Sequence, residues 1–339
     1  MLPKRHRTAV LGSGSWGTAL AIHLGRTGHD VTLWGRDGAL ISEMTARRAN
    51  PTYLPDQILP DRVRPTPILA DALDGADIVV AAVPSHGLRA VLRDAARHVP
   101  RAAVIVSATK GLETETLRRM SEIVGEETGG RHPIVVLSGP SFAAEVARQL
   151  PTALVAASPD RSAVEFVQRE FRGAFFRVYG STDVAGVEIG AALKNVIAIA
   201  AGVVESLGLG HNALSALMTR GLAEITRLAC AMGGQRETLS GLSGLGDLVL
   251  TCTGELSRNR HVGVELGHGR SLNHILASMR MVAEGVRTTE AALALAARHR
   301  VELPIATQMQ EVLAGRKTPK EAVGDLMLRP QRGELEPAT

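Results

Sequence analysis

Lys194 sits in the middle of GVEIGAALKNVIAIAAGVVESLGLG, a stretch that is almost wholly apolar around one Lys–Asn pair. An ammonium drawn out of water loses hydration that something must replace, and desolvation lowers its pKa. That suits a donor or acceptor of protons, although a lysine snorkelling from the edge of a helix gives the same pattern. Lys110, in ATKGL after a strand-like run, offers a second cation that could reach a ligand or merely decorate a surface loop. The third dense segment is GLSGLGDLVLTCTGELSRNR, residues 241–260. Its glycines at 241, 244 and 246 leave Asp247 on a closely approaching backbone, while Ser257, Arg258 and Asn259 line up three donors. The planar fork of Arg258 suits a phosphate. The same triplet reads as a helix N-cap with a charged first turn, and a helix N-terminus that binds phosphate satisfies both readings.

These residues need elements to hold them. TAVLGSGSWGTALAIHLGRTGHDVTLWGRD, residues 8–37, places Gly12, Gly14 and Gly17 between an apolar run, Ala9 to Leu11, and a helix expected from Thr18 to Arg26; a second apolar run follows at Val31 to Trp34. In this strand, turn, helix, strand context the first glycine permits a tight turn and the second lets backbone approach a diphosphate. The third allows helix to pack closely on strand. The helix N-terminus supplies free N–H groups to the anion. Beyond the second strand, WGRD presents Arg36 first and Asp37 beside it. An acid there receives the ribose hydroxyl of NAD and an arginine accommodates the 2′-phosphate of NADP. Arg36 therefore favours NADP with tolerance for NAD, unless it only stacks on adenine.

Further strand-like runs at Ala76–Val83, Ala103–Ser107, Ile134–Leu137, Ala153–Ala157 and Phe175–Tyr179 alternate with helical stretches. Such alternation predicts a parallel sheet covered by helices on both faces, with ligands outside the carboxyl ends of its strands. Three turns fall at that edge: VPSH at 83–86, ATKGL at 108–112 and SGPSF at 138–142. After Asp183 the signals become helical, with helices expected over 212–232, 259–267, 272–279, 288–299, 304–315 and 318–328. The reading is a dinucleotide-binding domain over 1–182, a helical substrate and catalytic domain over 183–328, and a flexible tail over 329–339.

Composition bounds the function. The chain has 339 residues, 45% of them hydrophobic and only 3% aromatic, so Ala, Val, Leu and Ile must fill its core. Its net charge of +4 comes from scattered bases matched by 34 acids, which points to anionic metabolites and not to nucleic acid. Two cysteines, Cys230 and Cys252, form neither a disulfide framework nor a zinc motif. The eleven histidines fall at no ligand-like spacing, so no metal is expected, and GLSGLG misses the spacing of a hydrolase elbow. The longest apolar run, Val196 to Val204, is far short of the roughly 20 residues a membrane span needs. A soluble cytoplasmic protein without stable membrane insertion is the expectation.

Taken together, GSGSWGTALA, VPSH, ATKGL, SGPSFAAE, LKNVIAIAAG, TRGLAE, GLSGLGDLVLTCTGELSRNR and VAEGVRTT, in this order over residues 8–328, resemble the bacterial-type NAD(P)-dependent glycerol-3-phosphate dehydrogenases. Trp16 and Ser141 are variants the pattern accommodates. The resemblance implies an α/β Rossmann-type N-terminal domain with a parallel sheet and an all-α, 6-phosphogluconate dehydrogenase-like C-terminal domain. It implies reversible reduction of dihydroxyacetone phosphate to sn-glycerol 3-phosphate with NADPH or NADH, for glycerophospholipid synthesis, by a homodimer. It places Gly12, Gly14, Ser15, Trp16, Gly17, Arg36, Lys110, Ala143, Arg258, Val282 and Glu284 at the cofactor. Lys110, Gly139, Ser141, Lys194, Asp247, Ser257, Arg258 and Asn259 fall at the substrate. Lys194 matches the proton acceptor, with Lys110 and Asp247 as its catalytic companions. Another two-domain reductase, or a dinucleotide sensor without turnover, is the rival reading; the first lacks a reason for GLGDLVLTCTGELSRNR, and the second for retaining all three catalytic groups.

Overall fold

The computed structural model describes residues 5–279, 283–331 and 333–334. The chain forms two units, Met1–Lys110 with Arg118–Val184, and Gly111–Leu117 with Ala185–Thr339. Segment 111–117 packs with the second unit, where Leu112 and Leu117 join the apolar core. The division is therefore not a single cut along the chain.

In the first unit β1 (Arg7–Leu11), β2 (Asp30–Trp34), β3 (Ala49–Asn50), β4 (Leu54–Ile58), β5 (Val63–Thr66), β6 (Ile78–Ala81), β7 (Val104–Ser107), β8 (Ile134–Ser138), β9 (Thr152–Ala157) and β10 (Phe176–Ser181) are joined by helices. These are α1 (Ser15–Arg26), α2 (Gly38–Arg47), α3 (Leu69–Leu73), α4 (Ser85–Ala95), α5 (Met120–Glu127), α6 (Ala143–Ala147) and α7 (Arg161–Glu170). One eight-stranded sheet runs in the order β10-β9-β8-β7-β6-β1-β2-β5, and β3 pairs with β4 apart from it. Side chains alternate between its faces, as a pleated strand requires: Ala9 and Leu11 of β1 pack with Val79, Ala81 and Ile105, whereas Val10 packs with Leu33, Val80 and Val106.

The sheet is parallel as expected at every joint but one, where β8 and β9 run antiparallel. A parallel return would carry the chain back along the whole strand, but α6 has five residues and rises only about 7 Å. The chain instead stays at the carboxyl edge through α6, which packs on α1, and enters β9 from that same edge. β1 lies between β2 and β6, where the connections diverge in opposite directions along the sheet. This is the switch point at which open α/β sheets take ligands.

The second unit has no strand among its described residues. Its helices are α8 (Val184–Ser206), α9 (Gly210–Ala231), α10 (Arg236–Leu239), α11 (Asp247–Thr253), α12 (Arg258–Gly267), α13 (Leu272–Ser278), α14 (Glu284–His299), α15 (Pro304–Leu313) and α16 (Pro319–Met327), with a π-helical turn at Leu242–Gly246. By length and composition α8 could cross a membrane, yet Gly186 to Val204 are buried without interruption inside the protein. It is the core helix of its unit. Two glycines bring α12 against it: a Cβ on Gly202 would stand 2.0 Å from the Arg260 carbonyl oxygen, and one on Gly263 would stand 1.9 Å from that of Ile199. Only bare backbone crosses that closely, and the crossing places Asn259 beside Asn195.

Glu224 on α9 accepts hydrogen bonds from the N–H groups of Ile305 at 2.7 Å and Ala306 at 3.4 Å, capping the start of α15. Burial pushes its carboxyl up to about 7 from an ordinary 4.5, against the opposing pull of those two donors. The folded chain thus keeps a proton that the unfolded chain releases between these values, so stability falls as pH rises from 4.5 to 7 and then levels off. Glu224 is expected to contribute about 3 kcal/mol to that fall. Urea denaturation at pH 5 and pH 8 should show the difference in the wild type and a flatter dependence in Glu224→Gln; equal slopes would remove Glu224 as the cause.

Both cysteines are free thiols. Cys230 is exposed, while burial pushes the Cys252 thiol up to about 12.

Candidate active site

The glycine turn follows β1 into α1. Gly12 has φ +118°, and a Cβ there would lie 2.6 Å from the Ala82 carbonyl oxygen, just past the end of β6. Gly17 is tighter still, its Cβ position only 1.9 Å from the Gly12 oxygen. Gly14 differs: nothing lies within 4 Å of its Cβ position. Two glycines are therefore demanded by protein packing and the third leaves backbone open to a ligand. Ser15 and Trp16 begin α1, whose first N–H groups have no partner within the helix. The Trp16 indole Nε1 is buried with no acceptor among the described residues. A diphosphate at this helix start would meet a cradle of the right shape and polarity.

At the end of β2 the Asp37 carboxylate caps α2, accepting from the N–H groups of Ala39 at 3.0 Å and Leu40 at 3.2 Å. Arg36 is exposed beside it. Both candidate selectors are exposed, but Asp37 is engaged in the local cap through its Oδ1.

Further along the carboxyl edge, the Thr109 hydroxyl donates to the Val83 carbonyl at 2.8 Å and ties the turn after β7 to the turn after β6. That fixes the root of Lys110, whose Nζ donates to the Gly139 carbonyl at 2.9 Å. The Ser141 hydroxyl donates to the same carbonyl at 2.9 Å. Gly139 has φ +133°, a conformation glycine adopts without strain, and it turns its carbonyl to both donors. The structure therefore brings Lys110, Gly139 and Ser141 together, with Ala143 at the start of α6.

In the second unit the Lys194 ammonium donates to Asp247 Oδ1 at 2.5 Å and to Thr251 Oγ1 at 2.9 Å. Lys194 is 6% exposed and Asp247 only 1%. The lysine does not snorkel; its charge is met by a buried carboxylate, which is how an ammonium survives away from water. The Thr251 hydroxyl in turn donates to the Asp247 carbonyl at 2.6 Å, so toward Lys194 it acts as acceptor. Gly190 permits this assembly, because a Cβ there would lie 2.8 Å from the Ser243 carbonyl in the π-helical turn that leads into Asp247. Such π-turns recur at functional sites.

The SRN triplet separates. Ser257 is the N-cap of α12, accepting from the Arg260 N–H at 3.2 Å. Arg258 stands at the first turn with an exposed surface, where partial desolvation pulls its guanidinium below its ordinary range against the opposing charge of the Glu284 carboxylate. Asn259 is buried, donating through Nδ2 to Asn195 Oδ1 at 3.0 Å and accepting at Oδ1 from the Gly285 N–H at 2.9 Å. Glu284 begins α14, whereas Val282 lies outside the described residues. Thr251, Asn195 and Gly285 carried no expectation from the sequence. Thr251 could have been found, since it stands four residues beyond Asp247 on one helical face. Among the described residues no group of three or more His, Cys, Asp or Glu side chains is set to hold a metal.

Comparison with known proteins agrees with this geometry. Residues 7–164 match the family described as NAD-dependent glycerol-3-phosphate dehydrogenase N-terminus, and residues 183–324 match the corresponding C-terminus. A glycerol-3-phosphate dehydrogenase [NAD(P)+] from Koribacter versatilis is 54% identical over 333 residues, covering 97% of this chain and 99% of the relative. One from Myxococcus xanthus is 50% identical over 331 residues, covering 97% and 99%. The crystal structure of glycerol-3-phosphate dehydrogenase from Coxiella burnetii superposes with a TM-score of 0.93 at 40% identity, covering 96% of this chain and all of that one. A ketopantoate reductase from Ralstonia eutropha shares the fold alone, with a TM-score of 0.58 at 14% identity over 93% of this chain and 99% of that one. The glycine turn, the buried Lys194–Asp247 pair and these full-length matches lead to one assignment: the chain belongs to the NAD(P)-dependent glycerol-3-phosphate dehydrogenase family.

Proposed function

We propose that the protein reduces dihydroxyacetone phosphate to sn-glycerol 3-phosphate, reversibly, and so feeds glycerophospholipid synthesis in the cytoplasm as a homodimer. The observation that carries the chemistry is Lys194 held at 2.5 Å from Asp247 in a buried setting. Bound NADPH or NADH supplies the hydride. Lys194 gives its proton to the C2 oxygen in reduction and takes it back in oxidation, as a buried, oriented ammonium can. Asp247 and Thr251 aim that ammonium from two sides. Lys110, fixed on the Gly139 carbonyl, holds the substrate or polarises its oxygen. Arg258 anchors the phosphate with Ser257 and Asn259, keeping C2 in place for transfer.

The glycine turn with Ser15 and Trp16, together with Arg36, Ala143 and Glu284, serves the cofactor in this reading, with Gly139 and Ser141 on the substrate side. In this reading residues 1–182 serve the dinucleotide and 183–328 the chemistry, with segment 111–117 packing into the second unit. The test is the initial rate of NADPH and of NADH oxidation with dihydroxyacetone phosphate. Turnover with either supports the function; silence from folded protein that still binds cofactor sinks it.

Arg36 is assigned the 2′-phosphate, because Asp37 is committed to the α2 cap. Charge-assisted hydrogen bonds of this kind give Arg36→Ala an expected rise of roughly 10- to 100-fold in KM for NADPH. KM for NADH should stay near its starting value, and a parallel rise in both would mean that Arg36 only stacks on adenine.

A further inference from the structure

The Gly285–Asn259–Asn195 chain of hydrogen bonds has a direction that chemistry alone dictates. A backbone N–H can only donate, so the atom facing Gly285 must be the oxygen of the Asn259 carboxamide. Its nitrogen then points the other way and donates, which requires the oxygen of Asn195 as acceptor. With that oxygen turned to Asn259, the Asn195 carboxamide is held in one orientation and presents its Nδ2 donors on its other side.

The chain is built to stay in place. Asn259 is 8% exposed and Asn195 5%. Gly285 allows the close approach, since a Cβ on it would lie 2.6 Å from the Asn195 carbonyl oxygen and 2.8 Å from Asn259 Oδ1. Its N–H is one of the α14 donors left without an intrahelical partner, so Asn259 satisfies a helix end as well. Asn195 follows Lys194 directly on α8, and Glu284 precedes Gly285 on α14.

We infer that Gly285 and Asn259 are positioning residues that lock the Asn195 carboxamide as a hydrogen-bond donor toward an oxygen of the bound three-carbon phosphate. This rests on the function proposed above and extends it. Asn259 acts through Asn195, in addition to any contact of its own with the phosphate. Without the lock the Asn195 amide can turn over and present its oxygen to an oxygen of the substrate, which repels it.

The test is a double-mutant cycle on kcat/KM for dihydroxyacetone phosphate at saturating NADPH, with Asn259→Ala, Asn195→Ala and the pair. Asn259→Ala is expected to lower kcat/KM roughly 10- to 100-fold, mainly through KM, when Asn195 is present, and by at least about 3-fold less when Asn195 is already alanine, where only its own phosphate contact is lost. NADPH affinity, measured alongside, should not follow that pattern; melting temperature is followed so that rates are normalised to folded protein, because the Asn259–Asn195 hydrogen bond couples the two substitutions in stability as well. An equal loss in both backgrounds would overturn the lock and leave Asn259 as an independent phosphate contact. If Asn259→Ala does not fold, the isosteric Asn259→Asp serves: its negative charge repels phosphate in both backgrounds, so only the excess loss with Asn195 present reports the lock, and no excess overturns it. Absence of turnover in the wild type would instead overturn the functional reading, and is seen before any substitution is made.

Discussion

Lys194→Ala is expected to lower kcat for dihydroxyacetone phosphate reduction by roughly 10²–10⁴-fold, the usual worth of a positioned general acid. NADPH affinity should change by less than about 2-fold, because Lys194 is assigned to the substrate and its proton, not to the cofactor. The effect is large because the ammonium is single-purpose: it is buried on an apolar helix and aimed by Asp247 and Thr251. The same burial makes the variant fragile, since the carboxylate of Asp247 loses its counter-charge at 1% exposure. Removing one member of a buried pair costs about 3–5 kcal/mol, so turnover must be normalised to folded protein. Near-normal turnover from the folded fraction would mean that the proton comes from elsewhere, and the central assignment would fall.

What could be read from sequence follows from how far apart the cooperating residues are. Gly12, Gly14 and Gly17 declared a dinucleotide turn because the three stand within six residues in a strand, turn, helix context, although the carbonyl that presses Gly12 belongs to Ala82; the structure shows two glycines pressed by backbone and one open. Lys194 was legible for a related reason: a charge in an apolar helix violates local consistency, which sequences tolerate at functional sites. The antiparallel β9 was not legible, since direction depends on where a five-residue helix lets the chain re-enter the sheet. The SRN triplet was legible in part: its reading as an N-cap with a charged first turn holds at Ser257 and Arg258, whereas the buried bridging place of Asn259 was not legible. Asn259 acquires its role from Asn195, 64 residues away, and from Gly285, 26 residues away. Segment 111–117 carries the same lesson, as Leu112 follows a sheet strand in sequence and packs into the helical unit in space.

Asp247→Asn should separate the charge of the site from its shape. Asparagine is isosteric with aspartate and still offers Lys194 an oxygen at Oδ1, so the hydrogen bond of 2.5 Å has a geometric heir. What disappears is the negative charge that keeps an ammonium comfortable where water does not reach it. The lysine of the variant sheds its proton more readily, and the acid needed for reduction is depleted at neutral pH. Reductive kcat is expected to fall roughly 10²-fold near pH 7.5, within the range set by losing a general acid. Part of the loss should return as pH is lowered and the lysine is protonated again, so the limb of the pH–rate profile that reports the acid moves to lower pH. Stability should drop by about 3–5 kcal/mol at pH 7, because the lysine must either stay charged without its carboxylate or give up a proton that the unfolded chain keeps, and the drop should shrink as pH rises toward the ordinary lysine range. A pH–rate series on both proteins, with urea denaturation at the same pH values, reads all three consequences. An unshifted profile at reduced rate would show Asp247 acting by orientation alone, and the electrostatic part of the mechanism would have to be given to another group.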